Sequence, residues 1–172
     1  MFGGGQLGSQ VLRQVENWVP EKAYRKESKF QDDLKEYLEQ QLNSGSGMMG
    51  QSQTHSIRKE RGKSRADVAV DDEVGIELKR AVTNAKLRRL RDQIHDYKDE
   101  YPYVIVCACG LQERGKWNEL RQEYEGQQGI GLQSGATIRF VEKEKKNGRT
   151  FGGGNRGGGG GMFGGGFDLG LD

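Results

Sequence analysis

The run Arg65-Ala66-Asp67-Val68-Ala69-Val70, then Asp71-Asp72-Glu73, then Val74-Gly75-Ile76-Glu77-Leu78-Lys79 decides how this chain is read. Both flanks alternate with period two, the pattern of strands with one apolar face, and the acidic residues between them mark a turn. Ala66, Val68 and Val70 are expected on one face, with Asp67 and Ala69 on the other. Past the turn, Val74, Ile76 and Leu78 share a face, leaving Gly75, Glu77 and Lys79 opposite. A three-residue loop closed by Val70 and Val74 sets Asp67 across from Glu77, close enough for their side chains to touch. A loop one residue shorter would shift the register and part them.

Two adjacent carboxylates repel, and burying them uncompensated is costly, so the pair calls for a cation. Hard oxygen ligands in a partly open site suit magnesium or manganese. Such a cation binds a phosphate oxygen and lowers the pKa of a bound water, producing a hydroxide for in-line attack on phosphorus. Lys79 shares the face of Glu77, where it can orient the water or neutralise charge developing on the phosphorane. The plain alternative is a solvent-facing hairpin with scattered charges.

Composition bounds the rest. Of 172 residues, 28 are glycine, and 12 of those fall between Phe151 and Asp172. This leaves roughly 110–150 residues for one ordered domain, enough for a single core. The expected division is a flexible glycine-rich N-terminus over 1–10, a domain over 11–142 and a disordered glycine-rich tail over 143–172. No apolar run is long enough to span a membrane, and Met1-Phe2-Gly3-Gly4-Gly5 resembles neither a signal peptide nor a transit sequence. Cys107 and Cys109 lie on one face of the apolar strand that starts at Tyr103, with no second Cys or His pair to make a zinc site. Buried, reduced thiols in a cytoplasmic protein, away from membranes, are the expectation.

Net charge is only +2, but its distribution is uneven. Arg58, Lys59, Arg61, Lys63 and Arg65 lead into Asp67, and Lys79, Arg80, Lys86, Arg88, Arg89 and Arg91 follow the hairpin. A cationic rim around an acidic, metal-sized centre suits a phosphodiester substrate. Arg61, Lys63, Arg65, Arg80, Lys86 and Arg89 are the expected nucleic-acid contacts. For Lys86 to Arg91, a solvated helix face is an equal alternative.

Elements are expected in the order helix, helix, three strands, helix, strand, helix, strand. Val11, Leu12, Val15, Trp18 and Val19 form an amphipathic stripe that stops at Pro20. Phe30, Leu34, Leu38 and Leu42 recur every fourth residue in a longer helix, with Ser28 and Gln31 as a capping box near its start. Strands are expected at about 54–60, 65–70 and 74–79. Thr83 is the N-cap expected for a helix with Leu87, Leu90, Ile94 and Tyr97 on its buried face. The strand over 103–109 is apolar on both faces and should be internal. Trp117, Leu120 and Tyr124 mark another helix, and a last strand covers 136–141.

An α/β chain with an αβββαβ core, Asp on the second strand and Glu-x-Lys on the third, resembles the PD-(D/E)XK nuclease superfamily. Its members include type II restriction enzymes, archaeal Holliday-junction resolvases and RecB-type exonuclease domains. The likeness covers roughly residues 25–110 and implies a restriction-endonuclease-like fold, a mixed central sheet flanked by helices. It implies that Asp67 and Glu77 bind Mg2+ or Mn2+ with help from the Leu78 carbonyl, while Lys79 assists the attacking water. Ala66 replaces the family's proline. Gln93-Ile94-His95-Asp96-Tyr97 matches the QxxxY motif of the RecB-like branch, on the helix after the Glu-x-Lys strand. Gln93 and Tyr97 would then contact substrate phosphate or hold Lys79. The alternative makes Tyr97 an ordinary core edge and leaves Gln93 facing solvent.

Family members usually add an acid from the first core helix. Glu27 is the expected one, because it shares the stripe of Phe30 and Leu34. A place in the exposed first turn, favoured by the helix dipole, is the alternative. Asp33 is a weaker candidate, while Glu60, at the end of the first strand, is an alternative source of the carboxylate or, equally, a surface ion pair with Arg58 and Arg61. His95 is expected on the surface, and His55 has no evident partner. Arg149, Arg156, Phe151, Phe163 and Phe167 resemble single-strand-binding RGG-like segments. Phe167-Asp168-Leu169-Gly170-Leu171-Asp172 is a candidate docking peptide for a protein partner, and a solubilising extension is the plainer reading of the tail.

The expected activity is a metal-dependent nuclease on DNA, whether duplex, branched or single-stranded, as a homodimer where both strands are cut. A catalytically inactive nuclease-like module that binds nucleic acid or a protein partner is the alternative. An RNA-directed member is a third reading.

Overall fold

The computed structural model describes residues 4–44, 54–61, 65–126, 135–143, 145–146 and 149–150. Two helices open the chain, α1 (Gly4–Asn17) and α2 (Glu27–Asn43). α1 starts inside the stretch that composition assigns to a flexible terminus, and it ends before Trp18. Val11, Val15 and Trp18 are buried as the stripe requires, but Val19 lies beyond the helix and is 59% exposed. The early start depends on a small residue, since a Cβ on Gly8 would come within 2.1 Å of the Tyr103 ring. In α2, Phe30, Leu34, Leu38 and Leu42 are all buried. The expected capping box does not form. The N-cap is Lys26 with no side-chain cap, so Ser28 already lies inside the first turn.

β1 (Ile57–Arg61), β2 (Ala66–Val70) and β3 (Val74–Val82) then form an antiparallel meander. Its hairpin has the expected register, Val70 opposite Val74, Ala69 opposite Gly75 and Val68 opposite Ile76. Asp71 and Asp72 take left-handed φ values of 52° and 55°, the conformation that suits tight hairpin turns. α3 (Asn84–Glu100) follows, capped by Thr83, whose Oγ1 accepts the Lys86 amide at 3.5 Å. A Thr cap of this kind contributes about 1 kcal/mol. Leu87, Leu90, Ile94 and Tyr97 form the buried face. β4 (Tyr103–Leu111) runs parallel to β3, and β5 (Thr137–Lys143) parallel to β4 after α4 (Arg114–Gly126). A short antiparallel pair, β6 (Lys145–Lys146) and β7 (Arg149–Thr150), lies within the segment assigned to the tail.

The result is an α/β fold with a five-stranded mixed sheet in the order β1-β2-β3-β4-β5, flanked by helices. One core packs α1 and α2 on the face that carries Val68, Val70, Ile76, Leu78, Ile105 and Cys107. The other packs α3 and α4 against Val104, Val106 and Ala108. β4 pairs on both sides and is apolar on both faces, as its sequence requires. Cys107 and Cys109 are free and buried on one face. Ala66 departs from its expected face: it belongs to the second core with Ala69, not with Val68 and Val70. Among the described residues no helix is long and apolar enough to cross a membrane.

Candidate active site

β2 and β3 stop pairing after Val68 and Ile76, and Asp67 lies one residue beyond that last rung. Its carboxylate takes a backbone donor at the fork, with Oδ2 accepting the Leu78 amide at 2.7 Å. Oδ1 accepts Gln31 Nε2 at 2.6 Å, which ties the strand to α2. Glu77 leans toward the other layer. It is 1% exposed, and its Oε2 accepts the Tyr97 hydroxyl at 2.6 Å. Its Oε1 is paired with the Lys79 ammonium. The fork thus gathers Asp67, Glu77 and Lys79 between the two helical layers.

Burial, then the neighbouring Glu77 charge, pushes the Asp67 carboxyl up to about 7, against the opposing pull of the Leu78 amide and Lys79. Lys79 is raised as well, which for a cation favours the charged form. Burial disfavours its charge, yet Glu77, Asp67 and Glu27 outweigh that and hold the ammonium above its ordinary value. Tyr97 is also pushed up, by burial and by Glu77, so it remains a neutral hydroxyl donor at physiological pH.

Glu27, at the start of α2, lies beside Arg80, Lys86 and Lys79. Its Oε2 accepts the Arg80 amide at 2.8 Å and lies 3.4 Å from Lys86 Nζ, and Oε1 is 4.0 Å from Lys79 Nζ. It is also the acid of the first helical turn. Gln31 was not expected here. It lies four residues after Glu27, hence on the same helix face, and that spacing was the signal that could have found it. Gln93 Nε2 donates to the Tyr97 hydroxyl at 3.4 Å. Tyr97 therefore steadies Glu77 rather than Lys79, while its fully buried ring also serves the core.

Other candidates lie elsewhere. Asp33 accepts Trp18 Nε1 at 2.9 Å, the Glu21 amide at 2.7 Å and the Tyr24 hydroxyl at 2.8 Å, fastening the α1–α2 connection. His55 does have a partner: Nδ1 lies 2.6 Å from Asp71 Oδ2, tying the hairpin turn to the approach to β1. His95 is exposed, as expected. Of the cationic rim, Arg65 and Arg89 are exposed. Arg80 Nε donates instead to the Tyr24 carbonyl at 2.8 Å, and Lys86 Nζ to the Arg80 carbonyl. Lys63 and Arg156, and the side chains of Glu60, Arg61 and Arg149, lie outside the described residues, as do Phe151 and the rest of the tail.

Among the described residues no three His, Cys, Asp or Glu side chains group to hold a metal ion. Asp67 and Glu77 nevertheless form a donor set that suits magnesium, which is usually held by one or two carboxylates together with waters and substrate phosphates. Burial first, and then the Glu77 charge, keeps the Asp67 carboxyl raised, and a cation beside the pair would offset the second of these. Comparison with family models, curated proteins and solved structures finds no match to this chain.

Proposed function

We propose that the fork hydrolyses phosphodiester bonds in DNA with a divalent metal, Mg2+ or Mn2+, held by Asp67 and Glu77. The observation that carries this reading is the convergence of two carboxylates and one ammonium where β2 and β3 part, with Asp67 poised near neutral pH. When bound, the metal would supply Lewis acidity toward a phosphate oxygen and lower the pKa of water. The remaining work falls to the chain itself. Lys79, paired with Glu77, donates hydrogen bonds and stabilises negative charge on the reacting phosphate. Tyr97 fixes Glu77, Gln31 fixes Asp67, and Glu27 steadies the strand at Arg80. The resemblance to PD-(D/E)XK nucleases supports the same assignment of roles.

A second reading, a nuclease-like module without turnover, draws on one observation. Each oxygen of Asp67 and Glu77 already has a polar partner within the chain, Lys79 among them. The deciding experiment is cleavage of labelled single-stranded, duplex, flap and four-way-junction DNA, and of RNA, in magnesium, manganese or EDTA. Metal-dependent cutting of DNA that is lost in Asp67→Asn and Lys79→Ala supports the nuclease. Binding without cutting, retained by both variants, supports the module, and preference for RNA overturns the DNA assignment.

A further inference from the structure

The two helices on the far face of the sheet carry their charges in reverse order. The first half of α3 holds Lys86, Arg88, Arg89 and Arg91 with no acid, and its second half holds Asp92, Asp96, Asp99 and Glu100 against Lys98 alone. α4 also starts basic, with Arg114 and Lys116 in its first turn, although Arg114 is paired with Glu142 at 3.0 Å and Arg121 stands among Glu119, Glu123 and Glu125 further on. A helix N-terminus is already partly positive, so cations there oppose the macrodipole. α3 and α4 follow the parallel neighbours β3 and β4, which brings both basic starts to the same edge of the sheet.

Between those starts lies a cleft of about 150 Å3, lined by Asn84, Arg88 and Arg91 from α3 and by Lys116 and Glu119 from α4. A water occupies about 30 Å3 in the liquid, so there is room for a phosphate group. Arg91 is held by Glu123 at 2.7 Å. Arg88 and Lys116 are exposed and have no ion-pair partner among the described residues. Arg88 and Lys116 thus face the cleft as cations with Glu119 as its one lining carboxylate, a balance that an anion from outside the chain would complete.

We propose that the cleft binds a backbone phosphate of the nucleic-acid strand, a contact separate from the fork. The proposal rests on the nucleic-acid reading of the fork and adds a second anchor, reached along α3 from Lys86, which touches Glu27. Its residues take no part in the chemistry at Asp67 and Glu77.

The test uses the full chain and fluorescence anisotropy with labelled duplex DNA between 50 and 200 mM salt. Arg88→Ala with Lys116→Ala is expected to weaken binding about tenfold or more at low salt and to lower the log–log salt slope by about 1 per lost contact. Glu119→Lys is expected to tighten binding. Without DNA the melting temperature of the double variant should hold or rise, because the removed charges have no ion-pair partner among the described residues. Metal-dependent hydrolysis of bis(p-nitrophenyl) phosphate, too small to span both places, should be unchanged. Unaltered affinity and salt slope in a double variant of an active, DNA-binding protein would overturn this proposal alone. A melting temperature that falls together with binding would assign the cations a structural role and overturn it too. A wild-type chain that neither binds nucleic acid nor hydrolyses the ester would sink the fork reading, and this one with it.

Discussion

Asp67 accepts the amide of Leu78, the residue next to Glu77, and this 2.7 Å bond holds its carboxylate at the point where β2 leaves β3. The bond favours the ionised form, but burial and Glu77 outweigh it and the carboxyl titrates near 7. An ordinary aspartate titrates at about 3.9. The folded protein therefore binds this proton more tightly than the unfolded chain does. The resulting stability is fully present below about pH 4 and is lost as the pH rises through about 7. Urea unfolding of the metal-free protein in EDTA should show wild type losing roughly 2–4 kcal/mol relative to Asp67→Asn between pH 4 and 8. Parallel pH profiles for the two proteins would show that Asp67 is not the group responsible.

Metal affinity should carry the opposite sign. A cation competes with the Asp67 proton, so Mn2+ affinity is expected to climb by up to about tenfold per pH unit below 7 and to level off above it. Calorimetry at pH 6 in buffers of different ionisation enthalpy should register close to one proton released per metal bound. A flat affinity from pH 5.5 to 7 would argue against Asp67 as a ligand.

Tyr97→Phe keeps the buried ring but removes the donor to Glu77 Oε2. Leaving a buried carboxylate oxygen without this donor should cost about 1–3 kcal/mol. Cleavage should fall more than in Gln93→Ala, which loses only a 3.4 Å contact. Equal effects in the two variants would mean that the hydroxyl acts on substrate rather than on Glu77.

Gln31→Leu should remove the α2 tether of Asp67 and lower metal-dependent cleavage about tenfold at similar fold stability, a loss of about 1.4 kcal/mol in transition-state binding. Steady-state rates beside thermal melts would separate the two contributions. Full activity in this variant would leave the Leu78 amide as sufficient support for Asp67.

Gly8→Ala would drive a methyl into the Tyr103 ring and should destabilise the protein by about 1–3 kcal/mol, whereas Gly5→Ala meets nothing within 4 Å. Denaturant midpoints for the pair provide the check, and indistinguishable midpoints would mean that α1 does not dock on β4 as described.

Local chemistry made much of this legible in advance. Period-two alternation and three acidic residues pointed to the hairpin, with a register that hung on the length of its turn, and four-residue spacing pointed to the buried faces of α2 and α3, because each depends only on neighbours in the chain. The same local rules could not see Gly8 as a packing residue, since composition alone reads glycine as flexibility. Nor could they see His55 meeting Asp71, or Asp33 fastening Trp18 and Tyr24 instead of joining the fork.

The sequence by itself determined which side chains bring carboxylate, amine and phenol to the centre of the chain, and that Asp67 and Glu77 would lie on neighbouring strands. Only the tertiary structure decided how those groups are held. The end of pairing after Val68 and Ile76 frees the Leu78 amide for Asp67, α2 brings Gln31 from one layer, and α3 brings Tyr97 from the other. Strand alternation is a property of the backbone. The burial and repulsion that push Asp67 up to about 7 arise only where both layers close over the fork.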